Sequence, residues 1–226
     1  MNNINNLTIS GRKILQRPPA DPHNSKGTLV ILHGYGADEY DLMGLAPYFD
    51  ANLQILSIRG PGTIMHGGAS WFDIDMNADG SLKFNIEQAL ESASDLIALI
   101  QELQGQGLIG EEKIILGGFS QGATISQLVT LRQPDLIKAL LIMSGRLTEQ
   151  ATELLSDESA IEDMPVFAGH GAHDNVIPIE FGRQIVSFWG KLPVQFEHHE
   201  YPMGHEICQE ELGHIQGWMN NQVLEI

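Results

Sequence analysis

The 226-residue sequence predicts an α/β protein: a mostly parallel sheet with helices packed on both faces. Three observations lead there. Short aliphatic runs alternate with amphipathic segments along the whole chain. The runs are apolar at consecutive positions, as strands buried on both faces must be. No internal repeat and no Pro/Ser-rich linker divides the chain, so a single domain over residues 1–226 is expected, long enough to bury roughly 70% of its unfolded surface.

The elements follow in order. Residues 1–27 form an N-terminal extension whose Leu7-to-Leu15 segment, interrupted by Gly11, reads as an edge strand or hairpin. Leu29–Leu32, Leu53–Ile58, Ile114–Leu116, Ala139–Met143, Pro165–Ala168 and Val194–Tyr201 are the strands. Between them, Ile86, Leu90, Ala93, Ile97, Ile100 and Leu103 recur at intervals of 4, 3, 4, 3 and 3, one face of a helix. Asn85 with Gln88 resembles a capping box at its start. Further helices are expected over Asp41–Phe49, Gly122–Arg132, Ile179–Lys191 and Glu206–Gln222, with Cys208, Leu212, Ile215 and Met219 on the core side of the last. Gly60–Lys83 and Arg146–Met164 read as long irregular loops, the first near the site.

Charge narrows the function classes. Twelve basic against 29 acidic residues give 12 − 29 = −17. Such a surface repels phosphate backbones and anionic lipid, which argues against nucleic-acid binding and stable membrane association. A single cysteine, Cys208, cannot form an internal disulfide, and the N-terminus has neither a basic segment nor an apolar one. A cytoplasmic protein is expected.

One motif carries chemistry. Gly118-Phe119-Ser120-Gln121-Gly122 matches G-x-S-x-G. The pentapeptide alone is weak, but an aliphatic strand runs into it and a helical segment leaves it. That context makes a sharp turn presenting Ser120 Oγ at the sheet's edge, with glycines where strand and helix approach. A serine hydroxyl needs a base to take its proton. With a nucleophile on such a turn, an acid and then a histidine follow in the chain. Asp174 lies just past the Pro165–Ala168 strand, where active sites gather. Asp163 precedes that strand and Asp157 lies in a loop before it. Of nine histidines, His205 alone occupies a loop downstream of Asp174. His198 and His199 lie within a strand, and His214 lies on the last helix. Two backbone N–H groups would hold a developing oxyanion, that of Gln121 and that of Tyr35 in His33-Gly34-Tyr35-Gly36, leaving His33 to brace the loop. His170-x-x-His173-Asp174 invites a metal reading. It lacks a helix to put both imidazoles on one face, so no metal and no cofactor is expected.

These pieces together resemble one family. Leu32-His33-Gly34-Tyr35-Gly36-Ala37-Asp38, Ser70-Trp71-Phe72-Asp73, Gly118 to Gly122, His170-Gly171-Ala172-His173-Asp174 and Gly204-His205-Glu206 stand in the order found in the phospholipase/carboxylesterase group of α/β-hydrolases. That group includes acyl-protein thioesterases and small bacterial carboxylesterases. The resemblance implies an α/β-hydrolase fold without a large cap domain. It also implies Ser120, Asp174 and His205 as a triad and Tyr35 with Gln121 as the oxyanion hole. Trp71 and Phe72 would stand beside the acyl pocket, and Met65, in the apolar part of the 60–83 loop, would join them. Related proteins often dimerise, so a homodimer is left open.

Two departures bear on substrate. Tyr35 stands where the family usually carries an aliphatic residue, and Ser144-Gly145-Arg146-Leu147 looks more like the bacterial esterases than the lipid-removing thioesterases. The expected activity is therefore hydrolysis of short- to medium-chain carboxylic esters through an acyl-enzyme. Thioesterase or lysophospholipase action is the nearer alternative, and a non-catalytic ligand-binding protein on the same fold is the remote one.

Overall fold

The computed structural model describes residues 4–76 and 82–224; part of the expected 60–83 loop thus lies outside the described residues. The chain opens with a hairpin, β1 (Asn5–Ile9) and β2 (Arg12–Arg17), resolving the choice left open between edge strand and hairpin. Its two-residue turn, Ser10-Gly11, has both φ values positive, 47° and 77°. That is the geometry of primed turns, whose twist matches that of the paired strands.

β3 (Thr28–Leu32) and β4 (Gln54–Ile58) follow, then two small antiparallel ladders: β5 (Gly62–Thr63) with β6 (Ala69–Ser70), and β7 (Ile74–Met76) with β8 (Leu82–Phe84). After helix α1 (Ile86–Gly105) come β9 (Ile114–Phe119), α2 (Gln121–Arg132), β10 (Ile137–Met143), the short α3 (Ala151–Leu154), β11 (Pro165–Gly171), α4 (Ile179–Trp189), β12 (Gln195–Tyr201) and α5 (Gln209–Trp218). The main sheet has eight strands in the order β1-β2-β4-β3-β9-β10-β11-β12. The six from β4 to β12 run parallel, while the first hairpin joins antiparallel through β2 on β4.

Alternation along the strands divides the core in two. Val30, Leu32, Leu56, Ile58, Leu116, Leu140, Ile142 and Val166 face α1, α2 and α4. Leu29, Ile31, Ile55, Ile115, Leu141 and Phe167 face the Leu42–Tyr48 turn and α5. The inner strands β3, β4, β9, β10 and β11 bury both faces, as consecutive apolar residues require, while β1 and β12 at the edges stay largely exposed. In β10 an irregularity between Ile137 and Ala139 shifts the phase, so Ile137 and Leu140 share a face. Among the described residues, no helix is long and apolar enough to cross a membrane.

Four expectations need correction. Asp41–Phe49 is not an α-helix: Leu42–Tyr48 forms 3₁₀ turns with Pro47, which has no N–H to continue a ladder, inside them. The two long loops carry local structure, the small β5–β8 ladders in one and α3 with a 3₁₀ turn (Glu158–Ile161) in the other. Strands of two or three residues are too short to show a period. Asn85 does cap α1, accepting from Gln88 N–H at 3.1 Å, but the Gln88 side chain binds Asp73 rather than closing a capping box. Cys208 is half-buried at the N-cap of α5, its sulfur near Glu211 N–H, and not a core residue.

Candidate active site

The site begins at the junction of β9 and α2. Ser120 has φ 56° and ψ −115°, a strained conformation for a residue with a side chain. Its N–H donates to Met143 O at 2.9 Å, which ties the turn to the end of β10. Both flanking glycines are sterically required. A Cβ on Gly122 would collide with the Leu32 carbonyl oxygen, and one on Gly118 with the backbone of Gly122. The close approach fixes Ser120 at the C-terminal edge of the sheet.

Asp174 sits in the turn after β11, its side chain fully buried. Oδ1 accepts from the N–H groups of Val176 and Ile177, both at 2.8 Å, and Oδ2 faces His205. Three charge-stabilising bonds converge on one carboxylate. The loops bearing Asp174 and His205 are laced together: Ala172 N–H donates to Tyr201 O at 2.7 Å and His173 N–H to Met203 O at 3.0 Å. His205 Nδ1 lies 2.6 Å from Asp174 Oδ2, and its Nε2 lies 2.9 Å from Ser120 Oγ. The acid fixes the proton on Nδ1, which leaves Nε2 free to accept from the serine hydroxyl. Phe119 packs on the imidazole with ring centres 4.8 Å apart. Three side chains far apart in sequence thus form one hydrogen-bonded line.

The loop after β3 is built around His33, which is wholly buried. Its Nδ1–H donates to Gly34 O at 2.7 Å and its Nε2 accepts from Gly60 N–H at 2.9 Å. Burial pushes its pKa down, the charged form being costly there. Next to it, Tyr35 is half exposed and borders the cavity. Gln121 is the first residue of α2, where a helix leaves its N–H groups without intrahelical partners. The Gln121 side chain accepts from Trp71 N–H at 2.9 Å and donates to Phe72 O at 2.7 Å, clamping that segment to the turn.

A cavity of about 370 Å³ opens over Ser120 and His205. Tyr35, Phe72, Ile74, Phe84, Ile86, Gln121, Thr124, Arg146, Thr148, Val176 and Ile177 complete its wall, which is mainly apolar. Of the three residues expected beside the pocket, only Phe72 lines it. Trp71 is buried instead: its indole N–H donates to His33 O at 3.0 Å and its carbonyl accepts from the Ser92 hydroxyl. Met65 is 84% exposed on the turn joining β5 to β6. Tyr35 and Gln121 are the residues expected at the oxyanion hole; the remaining wall residues are not marked by the sequence as pocket residues. Their one shared signal is position, since Arg146 and Thr148 follow β10 and Val176 and Ile177 follow Asp174.

His170 donates from Nε2 to Ile177 O at 2.8 Å and so supports the Asp174 turn. Among the described residues, no group of three or more His, Cys, Asp or Glu side chains is placed to hold a metal ion.

An elbow serine at the carboxyl edge of a sheet in this order, facing a histidine and a buried acid, is the arrangement of an α/β-hydrolase. The chain belongs more narrowly to the phospholipase/carboxylesterase family, a hydrolase family of serine esterases, whose profile matches residues 17–223. Acyl-protein thioesterase 1 of Cryptococcus neoformans is 28% identical over 235 residues, spanning 92% of this chain and 96% of the relative. The Kluyveromyces lactis protein of the same name is 31% identical over 74% of this chain and 78% of its own length. In fold, the chain is similar to the Bacillus cereus carboxylesterase, with TM-score 0.78 and 19% identity, covering 94% of this chain and 95% of that one.

Proposed function

We propose that the protein is a serine carboxylesterase acting on short- to medium-chain esters, with Ser120, His205 and Asp174 as its triad. The observation that carries this reading is the line of contacts at 2.9 and 2.6 Å on the floor of an apolar cavity. Ser120 Oγ attacks the ester carbonyl carbon while His205 Nε2 takes the hydroxyl proton. Asp174 holds the imidazole's orientation and stabilises its charged form. The tetrahedral oxyanion is held by the Tyr35 and Gln121 amides, each worth about 3 kcal/mol. The C–O bond then breaks, and the alcohol departs with the proton from His205. Water repeats the cycle on the acyl-enzyme and releases the acid.

A cavity of about 370 Å³ is at the small end of the range for small-molecule sites. That favours short or medium acyl chains, and turnover of p-nitrophenyl esters is expected to fall steeply beyond medium length. Preference for long chains would overturn the chain-length limit. A fluorophosphonate probe should label the protein and not Ser120→Ala. Labelling of both would displace Ser120 as nucleophile. The names of the relatives favour a second reading, acyl thioester hydrolysis by the same residues. Greater kcat/KM on acyl-CoA than on the matched aryl ester would establish it.

A further inference from the structure

One cation, Arg146, stands in the mainly apolar wall of the cavity. Arg146 leaves the end of β10 on a pinned backbone: Ser144 has φ 47° and donates its N–H to Gly169 O at 2.8 Å, and Gly145 has no room for a side chain beside Ala123. The Arg146 carbonyl accepts from Thr124 Oγ1 at 3.1 Å and from Gln127 Nε2 at 3.2 Å. The guanidinium is thus delivered to a fixed place. There it stacks over the rings of Phe84 and Phe181, at 4.6 and 4.5 Å from their centres. Stacking covers the faces of the planar group and leaves its in-plane N–H edge for hydrogen bonding.

That edge has no hydrogen-bond acceptor among the described residues. Among the described residues, no carboxylate lies within ion-pair distance of Arg146; the neighbouring Glu149 is exposed. The group is half-buried, and burial pushes its pKa down against an opposing pull from Glu149. A second polar group stands in the same wall with nothing to bind. The Thr148 hydroxyl is buried, the residue only 6% exposed, and it has no hydrogen-bond partner. A buried unpaired donor and a half-desolvated unpaired cation each carry a penalty that a ligand would relieve.

We propose that Arg146 and Thr148 form a carboxylate-binding subsite, and that the preferred substrates are esters bearing a free carboxylate. This rests on the esterase reading and refines it. A carboxylate meets the guanidinium fork with two parallel bonds and accepts a third from a hydroxyl. With a net charge of −17, the protein offers an anion no long-range attraction, so selectivity must arise at this contact. Hydrolysis of a dicarboxylic acid hemiester would release an alcohol and a dicarboxylate, with Arg146 taking no part in bond breaking.

The test compares matched pairs. For a carboxylate on the acyl side, p-nitrophenyl hemiglutarate is set against p-nitrophenyl valerate; for one on the leaving group, carboxyphenyl acetate against phenyl acetate. In the wild type at least one pair should show kcat/KM at least tenfold higher for the charged member, and the responding pair identifies the side. Arg146→Met should lower that ratio at least tenfold through KM, Arg146→Lys should restore part of it, and Thr148→Val should lower it severalfold. Ratios near one for both pairs in the wild type, or unchanged in Arg146→Met, overturn the subsite. If the neutral esters are still hydrolysed and Ser120 still takes the fluorophosphonate, the esterase reading survives that failure. If neither happens, the esterase reading fails and the subsite falls with it.

Discussion

Two neighbouring strands end in the same way and are put to different uses. β9 is followed by Ser120 and β10 by Ser144, both serines with positive φ, 56° and 47°. Each donates its N–H to a carbonyl near the end of the next strand over, Ser120 to Met143 and Ser144 to Gly169. The local geometry is repeated; what surrounds it is not. Ser120 Oγ meets His205 at 2.9 Å where both line the cavity, while the Ser144 hydroxyl is buried without a partner. A strained turn therefore places a serine but does not activate it. Activation needs a base, a buried acid behind the base and open space above the hydroxyl.

The largest effect separating the two is catalytic. Ser120→Ala is expected to lower kcat by about 10⁴-fold or more with little change in Tm, measured with a p-nitrophenyl ester and a thermal melt. Retained turnover would remove the distinction drawn between the serines. Next comes the closer packing at the first turn. Gly122→Ala should cost about 2–3 kcal/mol, a Tm drop of roughly 5–10 °C, because the added methyl meets the Leu32 carbonyl.

The Ser144 side adds a charge effect. Glu211 of α5 packs against Gly169, the residue whose carbonyl receives the Ser144 N–H, and both its carboxyl oxygens are buried without partners. Burial pushes its pKa up to about 8. The folded state therefore holds a proton that the unfolded chain releases near pH 4.5. Stability from this group is complete below pH 4.5 and is lost as pH rises towards 8, on the order of 4 kcal/mol in all. Glu211→Gln should flatten that decline in urea titrations at pH 5 and pH 8; an unchanged slope would assign it to other groups. The smallest effect belongs to Ser144 itself. Ser144→Ala removes an unsatisfied hydroxyl and should leave Tm unchanged or raise it by roughly 2–4 °C.

The same contrast explains what the sequence discloses. Ser120, Asp174 and His205 are legible because each follows a strand and their order is dictated by the topology, and the structure does bring them together. The two-sided strands are legible because burial on both faces writes itself as runs such as Leu29–Leu32. Ser144 is indistinguishable from any serine after a strand, since nothing local reports whether a histidine lies above it. Trp71 and Phe72 are equally apolar, and contacts distant in sequence hold Trp71 away from the cavity: Gln121 on the backbone of the pair, and His33 and Ser92 on Trp71. Arg146 was visible as a residue but not as a wall of the pocket, because Phe84 and Phe181, which hold it, come from distant parts of the chain.

The imidazole of His33 works as a latch only while uncharged: its Nε2 must keep a lone pair for the Gly60 amide. With its pKa depressed by burial, the latch is secure at neutrality, and its contribution to stability drains away as pH falls below about 6.5 and through the lower folded value. In acid, two N–H groups would confront each other there, and the loop carrying Tyr35 would spring loose. Souring the medium should therefore disable the enzyme partly by loosening its architecture, at a residue that never touches the ester.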